Sequence, residues 1–266
     1  MTRRLDVELV ARGLARSRTQ ARELVTAGVV LVDGKPASKP ALPVGESSTI
    51  ELTREPDRWV GRAAFKLLHA LDTWPVPVEG RRCLDVGAST GGFTQVLLER
   101  GAAHVTALDV GHDQLVQSIA TDPRVRDLPG TNIRDVDAAG LGGAFDLVVS
   151  DLSFISLAIA LPAMRTLVTD DGDLVVLVKP QFEVGRERLS RSGVVSSPHE
   201  RRRVLRDVAA VVAEQGLHLH GATASPIAGG DGNREFLFWL APRPVPGASV
   251  TAVDDMLEAV DLEGAP

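Results

Sequence analysis

The chain of 266 residues is 44% hydrophobic and 24% charged, which is ordinary for globular proteins and leaves room for one large domain and a small one. A single cysteine, Cys83, excludes a disulfide framework and a cysteine-rich zinc site, and no apolar run approaches the ~20 residues of a membrane helix. The net charge of −6 divides into +4 for residues 1–40 and −10 for the rest, so an anionic partner is expected at the N-terminal end unless these are ordinary solvated charges.

The first part of the chain predicts two helices followed by a hairpin. VELVARG predicts a helix that ends at Gly13, and RTQARELVTAG predicts a second helix that Ser17 caps and Gly28 closes. VVLVDGKPA then predicts a β-hairpin that turns at Asp33-Gly34, and TIEL predicts a further short strand.

This succession resembles the S4-like RNA-binding domain in the segments RLD, ARSRTQARELVTAG and VVLVDGK. The resemblance implies a small α+β domain over residues 1–57, with contacts to RNA phosphates from Arg4, Arg16, Arg18 and Arg22. Such contacts neutralise charge and read the shape of the RNA, and they do not read bases.

The polar stretch EPDRWVG marks a boundary, and we place a linker at residues 58–61 and a second domain at residues 62–266. Four apolar segments of the second domain predict buried strands: RRCLDVG, HVTALDV, FDLVVSD and LVVLVKP. Helices are predicted at GRAAFKLLHALDTW, FTQVLLERG and HDQLVQSIA, and after the capping box SPHE. TDDGD predicts a turn, and residues 181–197 are predicted to form a mobile loop. The closing strands are predicted at LHLHGATASP and REFLFWLAP, and a short acidic helix is predicted at TAVDDMLEAVDLEG. The alternation predicts an α/β fold with a doubly wound, Rossmann-like parallel sheet.

A glycine-rich turn, LDVGASTGGF, follows the first of these strands and opens a helix. Glycines let the backbone approach a ligand, and Asp109 ends the next strand, where nucleotide-binding folds place the acid that holds ribose hydroxyls. The spacing differs from the dinucleotide fingerprint and resembles the turn of FtsJ-like S-adenosylmethionine (SAM) methyltransferases. A purely structural turn is the alternative.

Four further residues are predicted to share one crevice. Asp151 and Lys179 end predicted parallel strands, whose carboxyl ends meet at the ligand-binding edge of such sheets. Lys66 lies among apolar residues on the helix before the first strand, and Glu235 begins the last strand. Only four of the 29 basic residues are Lys, and a buried Lys can lose its proton, which Arg cannot. The structural alternatives are snorkelling of Lys66, capping of a helix by Asp151 and pairing of Glu235 with its neighbour Arg234.

In order and context these four residues resemble the K-D-K-E tetrad of FtsJ-like ribose 2′-O-methyltransferases. A ribose hydroxyl is a poor nucleophile, so it needs a base within reach and in-line placement on the methyl group. A lysine serves as that base when desolvation or a neighbouring cation lowers its pKa below the usual ~10.4. We therefore predict Lys179 as the base, Lys66 as the second cation, and Asp151 and Glu235 as the groups that orient the amines and the ribose.

Over nearly its whole length the chain resembles the TlyA family, the rRNA methyltransferases also named haemolysin A. Members of that family have an interdomain RxWV linker, and in this chain Arg58, Trp59 and Val60 take its place. The resemblance implies transfer of a methyl group from SAM to a cytidine ribose 2′-hydroxyl of 16S rRNA, 23S rRNA or both, with ribosomal RNA or ribosomal subunits as partners. The cofactor contacts that we predict on this basis are Asp85, Gly87, Ser89, Gly91, Gly92, Phe93, Asp109, Asn132 and Asp151.

Other functions remain open at this point. A membrane-active haemolysin is disfavoured because the sequence has no signal, no spanning segment and no strongly amphipathic basic helix. A noncatalytic RNA-binding protein is disfavoured by the intact glycine turn and tetrad, and a small-molecule or protein methyltransferase by the S4-like segment. We expect no metal site, since the histidines lack partners at the spacing of metal ligands. We also expect a soluble cytoplasmic protein. Phe182 is expected either in the core or stacked on a flipped base.

Overall fold

A computed structural model describes most of the chain, and the chain divides into two compact units, residues 1–58 and 59–266. The described residues are 2–15, 18–54, 58–185, 187–190, 192–245 and 250–263. Trp59, which we placed in a linker, is buried with Leu67 and Phe93 in a core of the second unit.

The first unit contains two helices and five short strands in its described residues. Their bounds are β1 (Thr2–Arg4), α1 (Leu5–Ala11), α2 (Arg18–Thr26), β2 (Val30–Val32), β3 (Lys35–Pro36), β4 (Pro43–Gly45) and β5 (Ile50–Leu52). The strands form two small antiparallel sheets, one pairing β1 with β4 and the other in the order β3-β2-β5.

The hairpin between β2 and β3 turns at Asp33 and Gly34, whose φ angles are 51° and 75°. A type I′ turn needs positive φ at both central residues, which Asp tolerates and Gly adopts freely. The turn predicted from the Asp-Gly pair is therefore confirmed. Ser17, the predicted cap of α2, lies outside the described residues.

The second unit alternates strands and helices. Their bounds are α3 (Ala64–Thr73), β6 (Arg82–Val86), α4 (Gly92–Glu99), β7 (His104–Leu108), α5 (Gln117–Ala120), β8 (Val125–Leu128), β9 (Phe145–Ser150), α6 (Leu157–Leu167), β10 (Val168–Val178), α7 (Pro180–Glu183), α8 (Pro198–Glu214), β11 (His218–Ala224), β12 (Phe236–Ala241) and α9 (Val250–Glu258). A short 3-10 helix, Ile133–Asp135, precedes β9.

Seven strands of this unit form one sheet in the order β11-β12-β10-β9-β6-β7-β8. The five strands from β10 to β8 are parallel, whereas β12 is antiparallel to both β10 and β11. The predicted α/β class is confirmed, with the correction that the sheet is mixed and not wholly parallel.

Helices cover both faces of the sheet. Consecutive residues of a strand point to opposite faces, so neighbouring residues pack in different cores. Leu84 of β6 packs in a core with Leu161 of α6, while its neighbour Cys83 packs in a second core with Leu67 of α3. The sheet is therefore doubly wound, and the carboxyl ends of its parallel strands are left at one edge.

The turn predicted at TDDGD is wrong, because β10 runs through it from Val168 to Val178 with an irregular register before Asp173. The Asp173 carboxylate is buried and accepts hydrogen bonds from Arg81 Nη1 at 2.9 Å and Trp239 Nε1 at 2.8 Å. These distant partners stabilise an extended conformation where local composition favoured a turn.

Further elements of the second unit also differ from the sequence-based expectation. β8 was not predicted; it is an edge strand whose Arg126 and Asp127 are exposed, so it carries little apolar signal. The helix predicted at HDQLVQSIA is limited to Gln117–Ala120, and the predicted loop at 181–197 begins inside the short helix α7. The SPHE helix is confirmed, since Ser197 Oγ accepts a hydrogen bond from the backbone N–H of Glu200.

Candidate active site

The glycine-rich turn between β6 and α4 depends on backbone conformations that favour glycine. Gly87 and Gly91 have φ angles of 86° and 95°, and Ser89 between them is also left-handed at 47°. A Cβ atom at Gly87 would lie 2.9 Å from the backbone oxygen of Asp151, so any side chain there would force the two loops apart. Glycine thus allows the turn to pack directly against the end of β9.

Asp109, at the end of β7, holds the middle of this turn. Its Oδ2 accepts a hydrogen bond from the backbone N–H of Ser89 at 2.8 Å, and its Oδ1 accepts one from the backbone N–H of Gly111 at 2.7 Å. Each carboxylate oxygen has a further lone pair that can accept another donor. The carboxylate is therefore fixed in orientation while keeping the capacity to bind hydroxyl groups.

A cleft of about 610 Å³ opens beside this turn at the carboxyl ends of the strands. That volume lies within the roughly 300–1,000 Å³ of small-molecule sites. Of the predicted cofactor residues, five line the cleft: Gly87, Ser89, Asp109, Asn132 and Asp151. Its apolar lining, which sequence reasoning did not identify, includes Leu108, Val110, Ile133, Leu152 and Ile159.

The other predicted cofactor residues lie elsewhere. Gly92 and Phe93 line an adjoining cavity of about 460 Å³ that also contains the four tetrad residues. Asp85 and Gly91 line neither cavity. Asp85 is fully buried beneath the turn and accepts a hydrogen bond from Thr94 Oγ1 at 2.7 Å, which ties β6 to α4.

The four tetrad residues meet in one chain of ion pairs. Lys66 Nζ lies 2.7 Å from Glu235 Oε2 and 3.1 Å from Asp151 Oδ2, and Lys179 Nζ lies 2.6 Å from Asp151 Oδ1. All four side chains are largely buried. Two cations and two anions balance within the cluster, which makes the burial of four charges tolerable.

The charges of this cluster are set by its internal pairing. Burial alone would lower the pKa of Lys66, but the Asp151 and Glu235 carboxylates outweigh it and raise that pKa above its ordinary value. Burial alone would raise the pKa of Asp151, but the charges of Lys66 and Lys179 hold it below its ordinary value. Lys66 and Asp151 therefore stay ionised over the physiological pH range.

Lys179 differs from Lys66 in its partners. It pairs with Asp151, and Nζ also donates a hydrogen bond to Ser153 Oγ at 2.8 Å. Ser153 was not predicted as a site residue, although it lies in the DLSFIS segment directly after β9. It borders both the cleft of about 610 Å³ and the tetrad cavity, so Lys179 is held where the two spaces meet.

An aromatic pair, Phe154 and Phe182, lies beside the cleft. Phe154 is 92% exposed with a φ of 64°, which is unusual for a bulky residue, and its ring centroid lies 5.2 Å from that of Phe182. The half-buried Phe182 ring in turn lies 5.8 Å from Lys179 Nζ. Flat apolar surface is thus presented beside the amine that we predict to be the base.

Asp85 should make stability depend on pH. Burial raises its pKa from the ordinary 3.8 to about 7. Between these values the unfolded chain is ionised while the folded protein keeps the proton, so the unfolding free energy falls as the pH rises and levels off above about pH 7. Relative to Asp85→Asn, the wild type should lose about 2–3 kcal/mol between pH 5 and pH 8, measured by chemical unfolding. Asp207→Asn, at an exposed carboxylate of α8, is the control, and an equal pH slope in wild type and Asp85→Asn would contradict the shift.

In the first unit, three of the four arginines predicted to bind RNA converge on one carboxylate. Arg4, Arg18 and Arg22 all donate hydrogen bonds to the buried side chain of Asp6. Arg16 lies outside the described residues.

Two other kinds of site are absent from the described ranges. There, no helix combines the length and apolar character needed to cross a bilayer. Within the same part of the chain, no three His, Cys, Asp or Glu side chains are grouped as metal ligands.

Two family models match the two units. The model of FtsJ-like methyltransferases matches residues 59–241, and that of the S4 domain matches residues 3–50. The 16S/23S rRNA (cytidine-2′-O)-methyltransferase TlyA of Mycobacterium tuberculosis is 49% identical over 262 residues, covering 98% of each chain.

Two further relatives carry the haemolysin name. Hemolysin A of Brachyspira hyodysenteriae is 35% identical over 88% of this chain and 98% of that protein. A solved structure named as a hemolysin of Streptococcus thermophilus is 37% identical with a TM-score of 0.73, covering 97% of this chain and 94% of that one. These matches confirm the resemblance that the sequence motifs indicated. The chain therefore belongs to the FtsJ-like methyltransferase family, among the TlyA-like members that also carry an S4 domain.

Proposed function

We propose that this protein transfers a methyl group from SAM to the ribose 2′-hydroxyl of a cytidine in ribosomal RNA. The observation that carries the proposal is the buried chain of ion pairs Glu235–Lys66–Asp151–Lys179, whose last amine donates a hydrogen bond to Ser153 in the lining of the cleft. The name of the Mycobacterium tuberculosis relative supports the choice of cytidine and of ribosomal RNA.

The residues around the cleft fit SAM. Gly87 lets the glycine-rich turn pack directly against the end of β9, where it lines the cleft; the Asp109 carboxylate is fixed with acceptor capacity for ribose hydroxyls, and apolar side chains such as Ile133 line a wall that suits an adenine ring. When bound, this cofactor supplies an electrophilic methyl group on a positively charged sulfur. Gly87, Ser89, Asp109, Asn132 and Asp151 are the residues that would hold it.

The tetrad divides its work between two amines. Lys66, paired with two carboxylates, remains a cation and fixes both Asp151 and Glu235. Lys179 has one carboxylate partner, and once its ammonium form has released a proton to solvent, the neutral Nζ can accept the proton of the 2′-hydroxyl as the ribose oxygen attacks. Asp151 stabilises the ammonium that forms, and Ser153 Oγ directs Nζ by accepting its hydrogen bond.

The direct test is methyl transfer to RNA in vitro. Purified protein and SAM are incubated with small ribosomal subunits in one reaction and with large subunits in another, both from cells that lack this gene. 2′-O-methylation is then mapped along each rRNA. A new 2′-O-methyl group on a cytidine is expected. Methylation of a base, or no transfer to either subunit, would refute the proposal, and leakage of dye from liposomes at low protein concentration would favour the haemolysin alternative.

Loss of the Asp109 carboxylate should weaken cofactor binding. Asp109→Ala removes the acceptor proposed for ribose hydroxyls and should cost about 1–3 kcal/mol of SAM affinity, measured by calorimetry. Asp207→Ala is the control, because Asp207 is an exposed carboxylate of α8 that lines neither the cleft nor the tetrad cavity. Unchanged affinity in Asp109→Ala would remove this residue from the proposed site.

A further inference from the structure

Asp6 occupies an unusual position in the first unit. It lies in the first turn of α1, is fully buried, and accepts four hydrogen bonds from three arginines. Arg4 donates from Nε and Nη2 at 2.9 and 3.1 Å, Arg18 from Nη2 at 3.1 Å, and Arg22 from Nε at 3.3 Å. These arginines come from β1 and α2, so one carboxylate gathers cations from two elements.

The three arginine side chains remain about half exposed, at 50%, 54% and 54%. One anion among three cations leaves an excess of positive charge at a single place on the surface. Each guanidinium has five N–H donors, of which Arg18 and Arg22 each give one to Asp6. The carboxylate is therefore satisfied inside while the cations face solvent.

A neighbouring arginine shows what a purely structural role looks like. Arg12 is only 27% exposed, pairs with Glu8, and donates to the backbone oxygens of Gly45, Glu46 and Ser48. Its donors are thus directed into the fold and tie α1 to the segment after β4. Arg4, Arg18 and Arg22 are arranged in the opposite way, with their charge presented outward.

We propose that Asp6 is a positioning residue that holds Arg4, Arg18 and Arg22 together as one preformed site for phosphate groups of folded RNA. Free arginine side chains lose rotamer freedom when they bind, and side chains already held in place lose less. Guanidinium groups match phosphate oxygens in planar, paired hydrogen bonds, which makes orientation as important as charge. This inference rests on the proposed function, since ribosomal RNA supplies the phosphates.

The inference predicts an effect opposite in sign to simple electrostatics. Asp6→Asn removes a negative charge from a basic surface, so charge alone predicts tighter RNA binding and a steeper salt dependence. If Asp6 positions the arginines, the same variant should bind ribosomal subunits about tenfold more weakly, with a log–log salt slope flatter by about 1–2. Glu23→Gln makes the same charge change at an exposed residue of α2, and it should leave binding unchanged or slightly stronger.

The experiment uses the full chain and measures filter binding to ribosomal subunits at several salt concentrations, with thermal unfolding and SAM binding as checks of folding. Asp6→Asn is compared in wild type and in the variant Arg4→Gln/Arg18→Gln/Arg22→Gln. Because Asp6 is inferred to act through these arginines, its substitution should have no further effect when they are absent. Asp6→Glu, which keeps the charge but moves it, should weaken binding as Asp6→Asn does, and it serves as the test if Asp6→Asn does not fold.

The outcomes separate this inference from the proposed function. Tighter binding by Asp6→Asn, or an equal effect with and without the three arginines, would overturn the positioning role while wild-type methylation of rRNA still stands. Unchanged binding by a folded Asp6→Glu would also overturn it. A wild-type protein that neither binds nor methylates ribosomal subunits would instead overturn the proposed function.

Discussion

Lys179→Arg is expected to lower kcat for methyl transfer by about 100- to 10,000-fold, the range of a general base, while SAM affinity changes little. The substitution keeps the positive charge beside Asp151, but a guanidinium does not accept the proton of the ribose hydroxyl. Single-turnover transfer to ribosomal subunits measures the chemical step, and calorimetry measures cofactor binding.

Lys35→Arg is the matched control, since Lys35 is an exposed residue of the hairpin in the first unit and should tolerate the same change. Thermal unfolding establishes that the larger guanidinium side chain introduced beside Asp151 has not disrupted the fold. Substantial retention of kcat by a folded Lys179→Arg would show that the proton is taken by another group.

Asp151→Asn should damage both stability and activity. The carboxylate pairs with Lys66 and Lys179, so its loss leaves two buried amines with Glu235 as their remaining tetrad carboxylate. Removal of one partner from a buried ion pair costs about 3–5 kcal/mol of unfolding free energy. Methyl transfer should also fall by about 100-fold or more, since no tetrad carboxylate then pairs with the protonated Lys179.

Asp207→Asn provides the comparison, because Asp207 pairs with Arg203 at 2.8 Å on the exposed surface of α8. Exposed pairs contribute about 0–1 kcal/mol, so this variant should unfold nearly as the wild type does. Chemical unfolding and single-turnover assays check both effects. Equal losses of stability in the two variants would mean that the tetrad pairing contributes no more than a surface ion pair.

The proximity of the tetrad could be predicted because strand order fixes which ends meet. Asp151 and Lys179 follow adjacent parallel strands, so their proximity is a property of the sheet and needs no side-chain detail. The position of the glycine-rich turn could also be predicted, since its glycines lie where positive φ and a close backbone approach exclude other residues.

Features that depend on distant contacts could not be read from local sequence. Ser153 and Phe154 lie in an irregular segment without periodicity, so the place of Ser153 beside Lys179 and that of Phe154 beside Phe182 follow only from the packing of neighbouring loops. Asp173 lies in a stretch with the composition of a turn, yet partners on β12 and directly before β6 hold it in a strand. The burial of Asp6 among three arginines likewise requires α1 and α2 to be brought together first.

The reversed direction of β12 has a consequence for how the crevice is assembled. Glu235 precedes the first residue of this strand, and because β12 runs against β10, the start of the former lies at the same edge as the end of the latter, with Phe236 opposite Val178. If β12 ran the other way, its six residues would carry Glu235 about 20 Å to the far edge of the sheet. Strand polarity thus brings a residue that precedes one strand and a residue that follows its neighbour into the same candidate site. Lys66, on the helix before the first strand of the sheet, is neutralised by a carboxylate at the start of the last strand.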